Sequence, residues 1–332
     1  MSRFLTATVE EITDSRDGIQ RVLAGGRKAY VLTQLIGSVG VGDEVVLNVT
    51  ATDLQLGTGG WDVVHWNLSR RDWHEPGGGH VMKLRYTSLQ ADVGVTEEAA
   101  ELDTPLVGLP VVACFLHSQI AAVALAFAEE APGRRLGYVM TDSAALPLAL
   151  SDLVADLRDS ELLHTTVTVG HAFGGDLEAV NLISGLAVAR SAGCVAVIVG
   201  PGPGVVGTAT PTGFSGIEVA SIIDSVAAVK ARPVVAVRWS GADPRSRHQG
   251  VSHHVSTVLQ LAHAGAWVAC PVEYELGELP VHHQRAVVAI PDISEGLTRL
   301  GVTTMGRSPE EDRGFFEMSS AAGVVAARML DS

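Results

Sequence analysis

From residue 110 onward, short apolar runs alternate with stretches whose apolar residues recur at helical spacing. The runs have the length and the β-branched content of buried strands. Their sequences are VVACFL, RLGYVM, TTVTVG, CVAVIVG, PVVAVRW and AWVACPV. A chain that repeats strand, helix, strand this often forms a parallel sheet with helices on both faces. We therefore predict an α/β domain over residues 110–332, with a doubly wound, mostly parallel sheet.

The first 90 residues have a different pattern, in which short β-branched runs are separated by turns that contain Gly or Asp. No long helical periodicity is present there. Closely spaced short strands indicate a small barrel or a twisted sandwich. We predict a small all-β, barrel-like domain over residues 1–90. A linker over 91–109, which begins with the acidic stretch ADVGVTEEAAELDTP, then leads into the Rossmann-like domain.

The charge composition argues against one class of partner. The chain has 23 Lys and Arg against 37 Asp and Glu, for a net charge of -14. Because non-specific nucleic-acid binding needs a basic surface, we expect none here. No apolar stretch reaches the roughly 18 residues that span a bilayer, and the N-terminus lacks a secretory signal. We expect a soluble, cytoplasmic protein with no membrane partner, and three buried thiols in a reducing compartment.

Polar segments follow four of the predicted strands and one further apolar run, VVAI. They occupy residues 141–143, 170–176, 200–216, 240–254 and 291–294. In doubly wound sheets, ligands bind beyond the carboxyl ends of the strands, where loops enter helices. We therefore expect all five segments to converge on one cleft.

The segment VTVGHAFGGDLEAVN, residues 167–181, predicts a strand, a Gly-Gly turn and a helix. Gly174 and Gly175 permit a tight turn or a close backbone approach. Asn181 is expected five residues into the helix. Because Asn is a poor helix former, helix formation does not explain its presence there. We predict ligand contacts for these three residues.

Three acid–base groups are assigned catalytic roles near this turn. Asp176 has the alternative role of a helix cap, and His171 has no local structural role. Asp142, after the preceding strand, is either a helix cap or a member of the catalytic group.

The segment GPGPGVVGTATPTGFSG, residues 200–216, lacks the Gly-Lys-Ser/Thr ending of a P-loop and is not a dinucleotide fingerprint. Its backbone N–H groups and hydroxyls precede a helix, which suits a phosphate or carboxylate. A loop this long in a compact domain is usually functional or disordered. The ligand contacts predicted here are Gly202, Gly204, Thr208, Thr210 and Ser215.

The segment ADPRSRHQGVSHH, residues 242–254, carries the densest set of ionisable groups. Arg245 and Arg247 supply fork-shaped donors for an anion, and we predict that Arg245 is the main one. We assign both arginines to the ligand.

Three histidines in the same segment offer acid–base groups or metal ligands. Ser252 is a predicted N-cap, which places His253 and His254 in the first turn of a helix. Adjacent helical residues point in different directions, so we expect at most one of the two to face the site. We assign His248 and His253 to the ligand and His254 to catalysis. No recognised metal motif is present, so no metal ligand is assigned and a divalent metal stays open as the cofactor.

Five blocks carry a family resemblance. LGTGGWDVVHWNL, GGHVMKLRYTSLQ, GHAFGGDLEAVN, GPGPGVVGTATPTGFSG and ADPRSRHQGVSHH together resemble domain-of-unknown-function family 3866, a set of uncharacterised bacterial proteins. The resemblance covers nearly the whole chain and implies no reaction. The chemistry must therefore be argued from the residues.

The sequence supports three readings of function. The first is an enzyme, a hydrolase or transferase, that acts on a small anionic, phosphorylated or nucleotide-like ligand. The second is a metabolite-binding regulatory protein without catalysis. The third, an RNA-associated factor that uses the β domain, is disfavoured by the net charge of -14. A homodimer is compatible with the sequence, which sets no oligomeric state.

Overall fold

The computed structural model describes residues 2–56, 59–99, 102 and 105–331. The chain divides into two compact units, Met1–Gly94 and Val95–Ser332. Residues 100, 101, 103 and 104 of the predicted linker lie outside the described residues.

The first unit is built on a closed five-stranded barrel, in the order β1-β2-β3-β5-β4. Its strands are β1 (Phe4–Arg16), β2 (Ile19–Ala24), β3 (Arg27–Leu32), β4 (Glu44–Asn48) and β5 (Asp62–Asn67). Alternate side chains such as Val22, Val31 and Leu47 point inward and form the barrel core. The predicted all-β barrel is confirmed.

Two runs predicted as strand end in helical turns instead. These turns are α1 (Thr33–Ile36) and α2 (Thr50–Asp53), each of four residues. The same unit contains a short antiparallel pair, β6 (Met82–Lys83) and β7 (Ala91–Asp92).

The second unit contains an eight-stranded sheet, in the order β11-β10-β9-β12-β8-β13-β16-β17, and all of its strand pairs are parallel. Its strands are β8 (Pro110–Cys114), β9 (Leu136–Thr141), β10 (Thr165–Thr168), β11 (Leu177–Glu178), β12 (Ala196–Pro201), β13 (Arg232–Ala236), β16 (Trp267–Pro271) and β17 (Gln284–Val288). A separate antiparallel pair, β14 (Trp239–Ser240) and β15 (Gly250–Val251), lies in the connection after β13. Val112 of β8 pairs with Ile198 on one side and Val234 on the other, which places β8 in the interior of the sheet.

Helices follow most of the sheet strands. They are α3 (Thr96–Ala99), α4 (Gln119–Glu130), α5 (Asp152–Asp159), α6 (Leu182–Ser191), α7 (Glu218–Ala228), α8 (His253–Leu261), α9 (Ser294–Arg299) and α10 (Arg313–Arg328). Among the described residues, no helix is both long and apolar enough to cross a membrane.

The two faces of the sheet have separate apolar cores. Val111 and Ala113 of β8 join the core that contains α6, α7 and α8, whereas Val112 and Cys114 join the core that contains α5 and most of the buried α10 residues. Both faces are therefore covered, and the predicted doubly wound α/β fold is confirmed. The helix after β8 packs against α10, and the helices after β12 and β13 pack on the opposite face. Diverging connections of this kind open a crevice at the carboxyl edge of the sheet.

Gly323 sets the distance between α10 and α4. A Cβ atom at Gly323 would lie 2.3 Å from the carbonyl oxygen of Val123 and 3.0 Å from the backbone nitrogen of Phe127. We expect Gly323→Ala to lower the free energy of unfolding by ~2–3 kcal/mol, because backbone atoms cannot rotate away from the added methyl group. Urea unfolding followed by far-UV circular dichroism measures the change.

Gly296→Ala in α9 is the matched control. Its added Cβ would meet the terminal methyl groups of Leu125, which can rotate, at 2.6 and 3.1 Å. The better helix propensity of Ala offsets that contact by about 1 kcal/mol, so we expect little net change. Equal effects of the two substitutions would contradict close backbone packing as the cause.

Candidate functional site

Two of the five polar loops meet in one pocket at the carboxyl end of β13. The pocket has a volume of about 240 Å³. The arginines and histidines that line it come from the connection after β13. The hydroxyls and most of the apolar groups come from the loop 200–216. The lining residues are Phe115, Leu116, Val205, Val206, Gly207, Thr208, Phe214, Ser215, Gly216, Arg238, Arg245, Arg247, His248, His254 and Met305. Six of the predicted site residues are therefore brought together here.

Arg238 carries the buried charge of this pocket. It follows β13 directly, and only 6% of its surface is exposed. Its guanidinium donates a hydrogen bond to Nδ1 of His254, at 2.9 Å. Among the described residues, no carboxylate lies within ion-pair distance of it. Burial and repulsion by Arg245 lower the pKa of Arg238 to about 10, so the group stays charged near neutral pH.

Arg245, predicted as the main anion donor, is held by an acid instead. Its Nε and Nη2 atoms donate to the two carboxylate oxygens of Asp243, at 2.8 and 2.7 Å. Asp243 is 1% exposed, and the bond from Arg245 holds its pKa well below the ordinary value. Arg307 is paired with Asp312 at 3.0 Å. Arg247 is exposed at the pocket, and no ion pair to it occurs within the described ranges.

Three histidines converge at the start of α8. The pairing of β14 with β15 folds the chain back, so that the 3₁₀ turn Ser246–His248 lies over the helix start. Ser252 caps α8, as predicted: its hydroxyl accepts from the N–H of His254 at 3.3 Å and bonds Nδ1 of His248 at 2.7 Å. The ring centroids of His248, His253 and His254 lie 4.4 to 5.1 Å apart. Of the two helical histidines, His254 lines the pocket and His253 does not, as expected for adjacent helical residues, and His248 contacts both rings from the preceding turn.

Burial keeps these imidazoles neutral. Burial, together with repulsion by Arg238, lowers the pKa of His248 to about 4 and that of His254 to about 3. The pKa of His253 is also lowered, again by burial first. The Nε2 atom of His253 is buried and has no hydrogen-bond partner among the described residues. The pocket thus holds permanent positive charge on arginine and uncharged nitrogen atoms on histidine.

The loop 200–216 folds into a tight hairpin whose hydroxyls bond within the loop. The Thr208 hydroxyl donates to the carbonyl of Gly213 and bonds that of Thr210, which accepts from the Gly213 N–H. Ser215 accepts from Val206 at 3.3 Å. Thr208 and Ser215 line the pocket, as predicted, while Thr210 does not. The hairpin also contributes a ring, because Phe214 stacks on His254 with centroids 3.7 Å apart.

The polar residues of 167–181 are held by local hydrogen bonds. Asp176 accepts from the backbone N–H and hydroxyl of Thr166 and pairs with Arg158 at 3.0 Å. Asn181 is the N-cap of α6 and accepts from the N–H of Ser184. The prediction that Asn181 lies inside a helix is wrong, because the helix begins one residue later.

The turn itself is also closely bonded. Asp142 accepts from the backbone N–H of His171 at 2.9 Å rather than capping a helix. Gly174 donates its N–H to Glu178 at 2.7 Å, and a Cβ at Gly175 would lie 2.8 Å from the carbonyl oxygen of Leu177. Both glycines are explained by chain geometry.

Strand order keeps this turn away from the pocket. Three strands, β9, β12 and β8, separate β10 from β13, which corresponds to about 19 Å between the two strands. No residue of 141–143, 170–176 or 291–294 lines the pocket. The prediction of a single cleft formed by all five loops is therefore wrong, and the predicted catalytic residues Asp142, His171 and Asp176 lie outside the pocket.

A second cavity of about 360 Å³ adjoins the first, since both are lined by Leu116, Val205 and Met305. Gly204 lines this second cavity. Gly202 lines neither cavity. A Cβ there would lie 2.5 Å from the carbonyl oxygen of Ala145, so close packing explains this glycine.

The second cavity contains His117, a residue that the sequence did not single out. Its Nδ1 lies 3.0 Å from the carbonyl oxygen of Pro201, which only accepts, so Nδ1 carries the proton. Its Nε2 therefore accepts from the Ser151 hydroxyl, at 2.6 Å. Burial lowers the pKa of this imidazole from the ordinary 6.5 to about 4.

His117 should make stability pH-dependent. The unfolded chain binds a proton on this imidazole near pH 6.5, whereas the folded protein resists protonation down to about pH 4. The stabilisation is therefore complete above pH 6.5 and is lost as the pH falls toward 4. We expect the free energy of unfolding of His117→Gln, measured by thermal unfolding, to depend less on pH across this range than that of the native chain. The difference should be roughly 1–2 kcal/mol after allowance for solvent screening.

The exposed His263 provides the control for this measurement. His263→Gln should keep the native pH dependence, because its side chain is exposed. A His117→Gln profile parallel to that of the native chain would contradict a buried neutral imidazole.

Sequence reasoning missed three residues that shape the pocket: Arg238, Asp243 and Phe214. Arg238 stands at the end of the apolar run PVVAVRW, and a charge in that position is the signal that was available. Asp243 lies two residues before Arg245, close enough for a local ion pair. Phe214 carried no signal, because its partner lies 40 residues away along the chain.

Comparison with protein-family profiles gives a match. The profile of the family described as protein of unknown function (DUF3866) matches residues 28–323, which include every residue of the pocket. Comparison with curated proteins gives no match. Because the matched region covers most of both structural units, the chain belongs to the family of proteins of unknown function DUF3866.

Proposed function

We propose that the pocket at the end of β13 binds the anionic group of a small, phosphorylated ligand. The observation that carries this proposal is the buried guanidinium of Arg238, which faces the pocket without a carboxylate partner among the described residues. A buried charge without a counter-charge costs several kcal/mol. A bound anion would remove that cost, and it would be selected by the same charge.

Local charges support a phosphate rather than a cationic ligand. The two buried carboxylates nearby are already paired with Arg245 and Arg307. Arg238 and the exposed Arg247 remain to neutralise a ligand, and two guanidinium groups match the charge of a phosphate group. The Nδ1 atom of His254 accepts from Arg238, so its Nε2 carries a proton and is a further donor.

The two adjoining cavities support a ligand larger than phosphate. The first, of about 240 Å³, has the arginines. The second, of about 360 Å³, is lined by apolar side chains such as Leu300 and Val302 and also by the carboxylates of Asp152 and Asp156, which suit the hydroxyls of a sugar. An anion in the first cavity with a sugar or a base in the second would use both the charged and the apolar surfaces. A nucleotide-like ligand fits this division.

Hydrolysis or group transfer is the favoured chemistry. An arginine beside an anion stabilises charge that develops during phosphoryl or acyl transfer. The neutral imidazole of His254 directs its Nε2–H as a hydrogen-bond donor that can stabilise the same developing charge. The second candidate is a metabolite-binding regulatory protein, which the closely bonded hairpin over His254 favours because it holds the pocket in one shape.

The first experiment removes the buried charge. We expect Arg238→Met to weaken binding of inorganic phosphate, or of a nucleotide that stabilises the native chain, at least tenfold, because a charge-assisted hydrogen bond contributes roughly 1.5–3 kcal/mol. The same substitution should raise the melting temperature of the ligand-free protein, since it removes an unpaired buried charge. Calorimetry measures the first effect, and thermal unfolding in phosphate-free buffer measures the second.

Arg299→Met is the matched control, because Arg299 is an exposed arginine at the end of α9, outside both cavities. Arg299→Met should change neither the binding of phosphate or nucleotide nor the melting temperature of the ligand-free protein. A lower melting temperature and native binding in Arg238→Met would show that Arg238 has a structural role and would refute the anion site.

A second experiment separates the enzyme from the regulatory protein. A panel of nucleotides, sugar phosphates and other phosphoesters is incubated with the native chain and with His254→Gln, and product is measured. We expect turnover of at least one ligand that also binds. His254→Gln should reduce turnover by roughly two to three decades, the range for loss of a positioned donor, because Arg238 no longer anchors the side chain that donates to the developing charge. Binding without turnover across the panel would favour the regulatory reading.

A further inference from the structure

We propose that His248, His253 and His254 form a binding site for one divalent transition-metal ion, with Zn²⁺ as the best fit. Each residue offers one ring nitrogen, and these three atoms all lie within 4.8 Å of one another. Among the described residues, this is the one group of three or more histidine, cysteine or acidic side chains with such spacing. The site stands on its own geometry and does not require the proposed anion.

The ring arrangement matches three ligands of one ion. Zn²⁺ binds imidazole nitrogen at about 2.0–2.1 Å, so three tetrahedral ligands would have ring centroids about 5 Å apart. The observed separations are 5.1 Å for His248 and His253, 4.9 Å for His248 and His254, and 4.4 Å for His253 and His254. The planes are inclined by 37°, 83° and 67°, so no two of the rings stack face to face. Small side-chain rotations bring the nitrogens to bonding distance.

Two of the histidines have a nitrogen ready to bind. The Nε2 atom of His253 is buried without a hydrogen-bond partner among the described residues, which is costly unless a ligand occupies it. Nδ1 of His248 bonds the Ser252 hydroxyl at 2.7 Å, so its Nε2 is the atom left for a metal. A hydrogen bond from the second nitrogen to an oxygen is the usual way in which proteins orient a ligating imidazole.

His254 couples the metal site to Arg238. With Nδ1 accepting from Arg238, the proton lies on Nε2, and the ring has no free lone pair. Metal binding therefore requires that His254 exchange this hydrogen bond for a metal bond. The exchange would release the Arg238 guanidinium toward the pocket. The metal and an anion should then bind more tightly together than separately, by the reciprocity of linked equilibria.

The ligand set also indicates the kind of site. Three protein nitrogens leave a tetrahedral ion with one open position, the pattern of catalytic rather than structural zinc sites. Imidazole nitrogens select Zn²⁺, Co²⁺, Ni²⁺ or Cu²⁺ over Mg²⁺ and Ca²⁺, which prefer oxygen. His254 lines the pocket that contains the arginines, so the open position would face the same space.

The test uses full-length protein without a histidine tag, stripped with a chelator and dialysed into phosphate-free buffer. Zn²⁺ binding is measured by calorimetry and by metal content after gel filtration. Co²⁺ binding is followed by its visible d–d absorption, which reports tetrahedral nitrogen ligation. We expect one ion per chain, a rise in melting temperature with Zn²⁺ and no effect of Mg²⁺. His253→Gln and His248→Gln should each weaken Zn²⁺ binding at least tenfold and abolish the Co²⁺ spectrum.

His263→Gln, at an exposed histidine outside the cluster, is the control and should bind Zn²⁺ as the native chain does. If His248→Gln unfolds, His253→Gln alone decides, because the Nε2 atom of His253 has no hydrogen-bond partner to lose. Native Zn²⁺ affinity in His253→Gln, or no stoichiometric binding by the native chain, would overturn the proposal.

Phosphate titration of the metal-free protein separates this proposal from the anion site. Phosphate binding that depends on Arg238 without any Zn²⁺ binding would refute the metal site and support the proposed function. Zn²⁺ binding that depends on the histidines, with no phosphate binding in the presence or absence of metal, would support the metal site and refute the proposed function.

Discussion

The charge balance around the carboxyl end of β13 is the constraint on which the candidate site depends. Four arginines and two aspartates lie in this region. Asp243 pairs with Arg245 at 2.7 Å and more distantly with Arg307 at 3.7 Å, and Asp312 pairs with Arg307 at 3.0 Å. The exposed Arg247 is solvated, but Arg238 is 6% exposed, and within the described part of the chain its side chain has a neutral imidazole as its one hydrogen-bond acceptor. Burial of such a group is tolerated only if the surrounding fold is stable enough to offset it or if a ligand neutralises it. Arg238 lines the pocket, so a ligand bound there could supply the missing counter-charge.

Most of the fold could be predicted from the sequence, because its information is local. Strands buried on both faces must be apolar at every position, so CVAVIVG and its counterparts stand out as short continuous runs between helical patterns. In the barrel strands, buried and more exposed residues tend to alternate, because only one face of each strand points into the core. The errors fall at element ends. There a single capping residue such as Asn181 or Ser151 sets the first helical residue, and neighbouring polar residues compete for that role.

The site could be predicted only in part, because its assembly depends on strand order. The sequence shows that polar residues follow several strands, but the distance between two loops is set by which strands pair, and this pairing is non-local. The loop after β12 and the connection after β13 follow strands on either side of β8, so they meet, whereas the turn after β10 begins two strands beyond β12 and four beyond β13. The polar residues of that turn serve the edge strand β11 instead: Asp176 and Glu178 accept from β10 and hold the short strand in place.

The histidine cluster shows how local chemistry can create a site that periodicity argues against. Adjacent helical residues diverge, so His253 and His254 cannot share one helix face. They lie at the start of the helix, however, where no preceding turn separates their rings from the chain before it. The Ser252 hydroxyl there contacts both the backbone N–H of His254 and the ring of His248. One capping interaction therefore begins α8 and brings the third imidazole to the other two. Because Ser252 also donates its own N–H to the carbonyl of Arg238, at 2.9 Å, the same residue fixes the cluster against the strand end that carries the buried charge.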